Sequence, residues 1–416
     1  MDMGVGKTLP TLCRILELLK DRKIEKALVV APIFAMGAWY RDMELFGTRD
    51  RQLLEKSISV INYESVWRKN RGYNHEWGCV VLDESHKIKN RTSKQSAFLL
   101  KLSLKAKYRY ILTGTPIGNG QLENLWSQYA FIEPTVNRGR VSSKIFGTYS
   151  QFLDRYCILN QYWKPYRYLN VDEFQDIMYK HCYSVKKKDC LDLPEKLPDE
   201  VFEIQPKEKK LYKEMAEHST IENMDILAEN PLARMSKLRS IASGFINDNN
   251  GKTHELKCDK TNALKDFLDG WDKKLVIFCE FKYSIKTVSE SLDKLKIKYV
   301  TLDGEQKDKQ IWRKFQSDES IQIIICQYQS ASQGIDLYSA DTMIFYEPTL
   351  SSTLLEQAKD RIHRGGQTSK CSYIHFITKS TIERAIYRSL KNFTDFNEKL
   401  FTEYMKEYQK SYSGRK

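Results

Sequence analysis

Two series of short apolar runs, each followed by a helical pattern, restrict this chain to very few folds. The first series reads ALVVAP at 27–32, SISVIN at 57–62, CVVL at 79–82 and RYILT at 109–113. The second reads LVIFC at 275–279, YVTL at 299–302, IQIIIC at 321–326, TMIFY at 342–346 and YIHFI at 373–377. Runs this short and this apolar are strands buried on both faces, as in parallel sheets covered by helices. The intervening segments carry the helical period: Leu9, Leu12, Ile15, Leu16 and Leu19 in the first, with further helices expected over 283–295 and 310–316. Strand and helix alternating in two blocks predicts an α/β protein with two parallel doubly wound sheets. A chain of 416 residues is too long for one ordinary core, which agrees with two or three domains. The expected division is a first lobe over 1–135, helical protrusions and a linker over 136–250, and a second lobe over 251–416.

The run CVVL ends in two carboxylates, Asp83 and Glu84. Acids at the C-terminal end of a parallel strand lie in the crevice where such sheets bind ligands. Adjacent acids on an extended chain face opposite ways, so one can hold a magnesium ion while the other orients a water for attack on phosphate. A solvated turn also looks like this. The pair gains meaning only with a phosphate cradle and a distant arginine on the same chain.

Both are present. Gly4-Val5-Gly6-Lys7-Thr8 has the form of a P-loop tail entering a helix, with Pro10 in the first turn where it is tolerated. Glycines let backbone amides close around phosphate, the helix N-terminus adds a favourable dipole, Lys7 reaches the outer phosphates and Thr8 would ligate magnesium. The first glycine of the full pattern falls at Met1 and no strand precedes the loop, so a chance glycine-rich turn stands beside the phosphate reading. A fragment truncated at its N-terminus, or a true start upstream of Met1, is the expectation. In the second series, QAKDRIHRGGQ at 357–367 carries Arg361 and Arg364, three apart and on one face if helical. Such a pair would stabilise charge on a γ-phosphate as arginine fingers do; a basic helix end paired to Asp360 is the competing reading. RYILT runs into Gly114-Thr115-Pro116, where Thr113 and Thr115 would couple the nucleotide site to a second site; an ordinary β-to-α turn is the competing reading.

Aromatics crowd between Trp126 and Tyr168, including Phe146, Phe152, Tyr156, Tyr162, Trp163 and Tyr166. Beside Lys144, Lys164 and Arg167 they would stack on bases; as a helical stripe they would be the core of a protrusion, and the core reading is preferred. Lys186, Lys187 and Lys188 precede LDLPEKLP at 191–198, whose spaced prolines read as an inter-domain linker. The net charge of +13 favours a polyanionic partner. Nine cysteines occur without a CxxC pair, the pattern of reduced core thiols in an intracellular protein. The opening MDMGVGKT is not a signal peptide, and the most apolar stretch, 27–39, is too short to span a bilayer. A soluble cytoplasmic protein with no membrane partner is expected.

Taken together, GVGKT, ALVVAP with Trp39 downstream, DESHKIKN, LTGTPIGN, QGIDL at 333–337 and QAKDRIHRGGQ resemble, in type and order, the Swi/Snf-type ATPases of helicase superfamily two. The likeness covers nearly the whole chain, including LENLWSQYAFIEP and LDLPEKLP. It implies two RecA-like lobes, an α-helical insertion between them, ATP and Mg2+ as cofactors, and hydrolysis coupled to movement along duplex rather than single-stranded DNA. It implies that Gly4, Gly6, Lys7 and Thr8 hold phosphate and metal, Asp83 positions magnesium and Glu84 activates water. Arg361 and Arg364 become the fingers, Gln357 lies in the same cleft, and Gly334 and Asp336 link nucleotide to the DNA backbone. Three features depart from the family pattern: Lys186–188 in place of an arginine pair, Glu347-Pro348-Thr349 in place of Trp-Asn-Pro, and no glycine pair at Gly334. They suggest a compact member of the bacterial or bacteriophage sort. An RNA or single-strand helicase of the same superfamily, and a non-enzymatic DNA-binding remnant, remain the alternatives.

Overall fold

The computed structural model describes residues 5–33, 35–114, 116–117, 121–308, 310–331 and 334–413, the side chains of Asn70, Arg71 and 411–413 excepted. Gly4, Thr115 and Gln333 therefore lie outside the described residues. Contacts divide the chain into two units, Met1–Asp192 and Leu193–Lys416.

The first unit begins with α1 (Thr8–Lys20), β1 (Ala27–Ala31), α2 (Met36–Met43), β2 (Ile58–Asn62), β3 (Trp77–Asp83) and β4 (Ala106–Leu112). The strands form one parallel sheet in the order β2-β1-β3-β4, as expected for a doubly wound lobe. All of β1, and β3 from Cys79 to Leu82, are fully buried. Leu12, Ile15 and Trp39 cover one face together with Val29 and Val81. Leu28, Val80 and Leu82 face the other way, where α3 (Trp126–Ile132) contributes Trp126, Tyr129 and Phe131. Leu9, on the outer side of α1, is exposed.

Beyond Ile132 the expected insertion of helices and irregular segments is corrected: its helices alternate with strands. Two antiparallel hairpins, β5 (Pro134–Asn137) with β6 (Arg140–Ser143) and β7 (Cys157–Leu159) with β8 (Pro165–Tyr168), alternate with α4 (Tyr149–Tyr156) and α5 (Val171–Lys180). The first hairpin closes through Arg138 and Gly139, both at positive φ (47° and 74°), the geometry whose twist matches paired strands. Phe146, Phe152, Tyr156 and Phe174 form the aromatic core here, with ring centroids 5.4–6.0 Å apart in several edge-on and stacked pairs. Tyr162, Trp163 and Tyr166 depart from that core reading; they stand in solvent.

The second unit orders β9 (Glu200–Ile204), α6 (Lys209–His218), α7 (Pro231–Ala242), α8 (Lys260–Leu268), β10 (Leu275–Cys279), α9 (Lys282–Lys294), β11 (Tyr299–Leu302), α10 (Ile311–Ser317), β12 (Ile323–Gln327), β13 (Thr342–Phe345), α11 (Ser352–Lys359), β14 (Ser372–Thr378) and α12 (Ile382–Lys391). Its six strands form a parallel sheet in the order β11-β12-β10-β13-β14-β9. The sequence reading missed β9, whose polar Glu200 and Glu203 hide its strand character. Asp199, just before it, is held by Lys359 Nζ at 2.6 Å and His375 Nε2 at 3.1 Å. Burial opposes ionisation of Asp199, but those two partners more than offset it and hold the carboxyl at about 2. Residues 193–250 thus pack on the second sheet instead of forming a separate protrusion. Met235, Leu238 and Ile241 of α7 share a core with Val276 and Phe278, and Leu197 N donates to Cys371 O at 2.9 Å.

Beneath α8 lies a wholly buried charge cluster. Lys260 Nζ donates to Tyr346 O (2.9 Å) and to Glu383, whose second oxygen accepts from Thr378 N at 2.8 Å. Glu347, also buried, accepts from Glu280 N (3.0 Å) and from the Ser284 hydroxyl. No disulfide joins the cysteines, and among the described residues no helix is long and apolar enough to cross a membrane.

Candidate ATP and magnesium site residues

Gly6 adopts φ +73°, and a Cβ there would meet nothing within 4 Å, so its backbone is both glycine-like and open. Lys7 caps α1, and no acidic residue occupies the first turn of that helix. An uncompensated helix N-terminus beside a lysine suits phosphate. Thr8 opens the helix, and Thr11 Oγ1 donates to Lys7 O at 2.8 Å, which secures the turn. Lys7 and Thr113 share the wall of a cavity of about 540 Å³ along β4.

Asp83 ends β3 in a nearly closed environment. Trp39 Nε1 donates to its Oδ2 at 3.0 Å, and Tyr63 OH donates to its backbone oxygen at 2.8 Å. Burial, and then the charge of Glu84, push the Asp83 carboxyl up to about 6, while Trp39 and Lys7 pull the other way. Lys7 is thus near enough for its charge to favour the ionised form of Asp83. Glu84 sits at φ +53°, a left-handed conformation that a glutamate adopts only under constraint. The chain thus turns at Glu84, so the alternation of an extended strand expected for the two acids does not apply there. Glu84 Oε2 lies 3.3 Å from His86 Nδ1, which is 3.5 Å from Thr113 Oγ1.

Behind the acids is a relay that the sequence reading did not single out. Ser85 Oγ donates to Gln128 Oε1 at 2.7 Å, and Gln128 Nε2 donates to Pro116 O at 3.0 Å and Asn124 O at 3.1 Å. These atoms tie Ser85 of the acid loop, Pro116, and Asn124 in the 3-10 turn before α3 to Gln128 on α3. The signal was there: Ser127 and Gln128 interrupt an otherwise apolar helix, LWSQYAFI.

Within the second unit, the helical face expected for Arg361 and Arg364 does not form, since neither lies on a helix, yet the two side chains come together. Both follow α11 in consecutive turns and converge on Ile335 O, at 3.1 Å and 2.9 Å. Arg361 Nε also donates to Gln357 O at 2.9 Å, and Arg364 pairs with Asp336. Asp360 pairs with Lys196 at 3.2 Å. Gly334 takes φ +72°, turning the chain so that Ile335 O faces the arginines. Gln357 is 1 % exposed, and among the described residues both ends of its carboxamide lack a hydrogen-bond partner. A buried amide with nothing to bond is out of place in a finished core.

The SNF2-related domain model matches residues 1–247, and the helicase conserved C-terminal domain model matches 259–366. The chain belongs to the SNF2-related family. An ATP-dependent helicase of Mycoplasma genitalium is 25% identical over 92% of this chain and 38% of its own length. The SWI/SNF-related matrix-associated actin-dependent regulator of chromatin subfamily A-like protein 1 of Xenopus laevis is 24% identical over 92% of this chain and 40% of its own. The chain thus spans about two fifths of the length of these SNF2 relatives. Among solved structures, the Sulfolobus solfataricus SWI2/SNF2 ATPase core in complex with dsDNA aligns at 25% identity over 96% of this chain and 86% of that one, with a TM-score of 0.41.

For this SNF2 chain, Trp39→Phe is expected to raise the Asp83 pKa further, because the indole hydrogen bond lowers it. Titration of the carboxyl followed by NMR reads the shift. An unchanged Asp83 titration would show that the indole does not tune the acid.

Proposed function

We propose that this chain is the motor portion of a DNA-stimulated ATPase that moves along duplex DNA. The observation that carries the reading is Asp83 and Glu84 at the end of a buried parallel strand, with Lys7 in electrostatic reach. Family membership supports ATP as the substrate, and the open left-handed Gly6 and the acid-free N-terminus of α1 fit its phosphates. Gly4, Gly6, Lys7 and Thr8 hold the phosphates, and Asp83 with Thr8 holds magnesium. Bound magnesium supplies charge neutralisation on the phosphate oxygens. Glu84 orients the attacking water and accepts its proton. Arg361 and Arg364 stabilise the charge that develops on the transferred phosphoryl group, and Gln357 offers its unbonded carboxamide to nucleotide. Gly334 and Asp336 fix the arginines through Ile335 O, so DNA contact at that turn is felt at the guanidinium groups. The net charge of +13 supports a polyanionic partner, and duplex DNA is the one proposed.

The test is ATP hydrolysis by the chain with and without duplex DNA, beside Arg364→Ala. Duplex should stimulate turnover, and the variant should lose at least about 100-fold in kcat with a smaller change in KM. Turnover that ignores duplex DNA, or a variant as fast as the parent, refutes the reading.

A further inference from the structure

The most exposed large apolar side chain among the described residues is Trp163, at 81 %, with Tyr162 at 72 % and Tyr166 at 65 % on the same hairpin. Aromatic surface of this size left in water at one tip calls for an occupant. The tip is rigid. Asn160 Oδ1 accepts from Tyr162 N (2.9 Å) and Lys164 N (3.1 Å), Trp163 N donates to Asn160 O, and Asn160 N donates to Lys164 O, both at 2.9 Å. That clamp holds Trp163 at φ +59°, a conformation a bulky residue does not adopt unaided. Tyr166 is the extra residue of a β-bulge: Ile158 faces Arg167 and Leu159 faces Pro165, which leaves Tyr166 without an opposite number and turns it outward. The base of the hairpin is anchored by buried Cys157 and by Tyr168 OH, which donates to Glu123 at 2.6 Å. From Cys157 through Val171 the chain carries no acid, while Lys164 and Arg167 are exposed.

We infer that the tip of the β7–β8 hairpin is a stacking site for the unpaired bases of a nucleic acid strand. Preset aromatic faces stack on any base, and the two flanking cations meet the phosphates on either side of it. Duplex DNA buries its bases in the stack and cannot use this surface except at an end, a gap or a separated region. The inference deepens the motor reading above and rests on it for the choice of partner. It adds a contact to unpaired bases that duplex binding does not require.

The experiment compares the parent chain with Tyr162→Ala/Trp163→Ala, and with Lys164→Ala/Arg167→Ala, in binding a short labelled oligothymidine and a blunt duplex at one salt concentration. The aromatic variant should bind oligothymidine about tenfold or more weakly, with duplex affinity and duplex-stimulated turnover within about twofold of the parent. The basic variant should weaken oligothymidine binding and flatten its salt dependence. Equal oligothymidine affinity in parent and aromatic variant overturns the inference and leaves the tip as a protein-docking surface. Tip-dependent oligothymidine binding without duplex stimulation upholds the site and refutes the duplex motor. A parent chain that binds neither DNA form overturns both.

Discussion

Glu84→Gln is expected to cut ATP turnover by about 10²- to 10⁴-fold while leaving nucleotide binding nearly intact. Glutamine keeps the size of the side chain and its backbone constraint, and removes only the ability to take a proton. The effect on Asp83 runs in the opposite direction. The charge of Glu84 raises the Asp83 pKa, so a neutral neighbour leaves Asp83 more fully ionised at neutral pH and better able to hold a cation. Binding of ATP with magnesium should therefore be unchanged or tighter while chemistry stops. Single-turnover hydrolysis and equilibrium nucleotide binding separate the two. A variant hydrolysing within tenfold of the parent would remove Glu84 from the role of base.

Lys260→Met should destabilise the second unit by about 3–5 kcal/mol, because it leaves a buried carboxylate without its partner. Lys260 is fully enclosed, as is Glu383, and its positive charge also restrains Glu347. Burial already pushes Glu347 up to about 7, above its ordinary 4.5. A raised acid binds its proton more tightly in the folded state, so its contribution to stability falls as pH rises from the unfolded value to the folded one. Removing Lys260 raises the folded value again and extends that decline to higher pH. The variant should consequently lose more stability at pH about 8 than at pH about 6. Adding Glu383→Gln should recover much of the loss, since the uncompensated charge goes with it. Urea midpoints for the parent, single and double variants at both pH values provide the check. A single variant as stable as the parent would mean that the cluster contributes nothing net.

Apart from β9, the strands of the two sheets were legible because each is a short apolar run bounded by turns; LVIFC and YVTL coincide with β10 and β11 residue for residue. The acids were legible for the same reason, as charges that end such a run. What escaped were elements whose reason lies far away in sequence. Glu200 and Glu203 make β9 read as a charged loop, and only the edge of β14 turns it into a strand. The β7–β8 hairpin escaped because its aromatics carry the same letters as the buried ring cluster beside it, and burial is not visible in composition. Arg361 and Arg364 were expected on one face if helical; they are not helical, and a shared carbonyl at Ile335, after the turn at Gly334, brings them together instead. Trp39, noted only as part of a family likeness, proves to be the hydrogen-bond partner of Asp83.

The pairing of β9 with β14 has a consequence for how the chain is made. Glu200 aligns with Ile374, so this edge strand, made early, waits unpaired while the chain grows beyond it until most of the second unit has been translated. At ordinary synthesis rates that wait lasts on the order of ten seconds or more, far longer than a loop takes to close. Throughout it, Val201 and Phe202 have no sheet to join. The last strand of this sheet to find its neighbour is thus the first of the six to be synthesised, and closure of a loop this long sets a slow, late step in maturation.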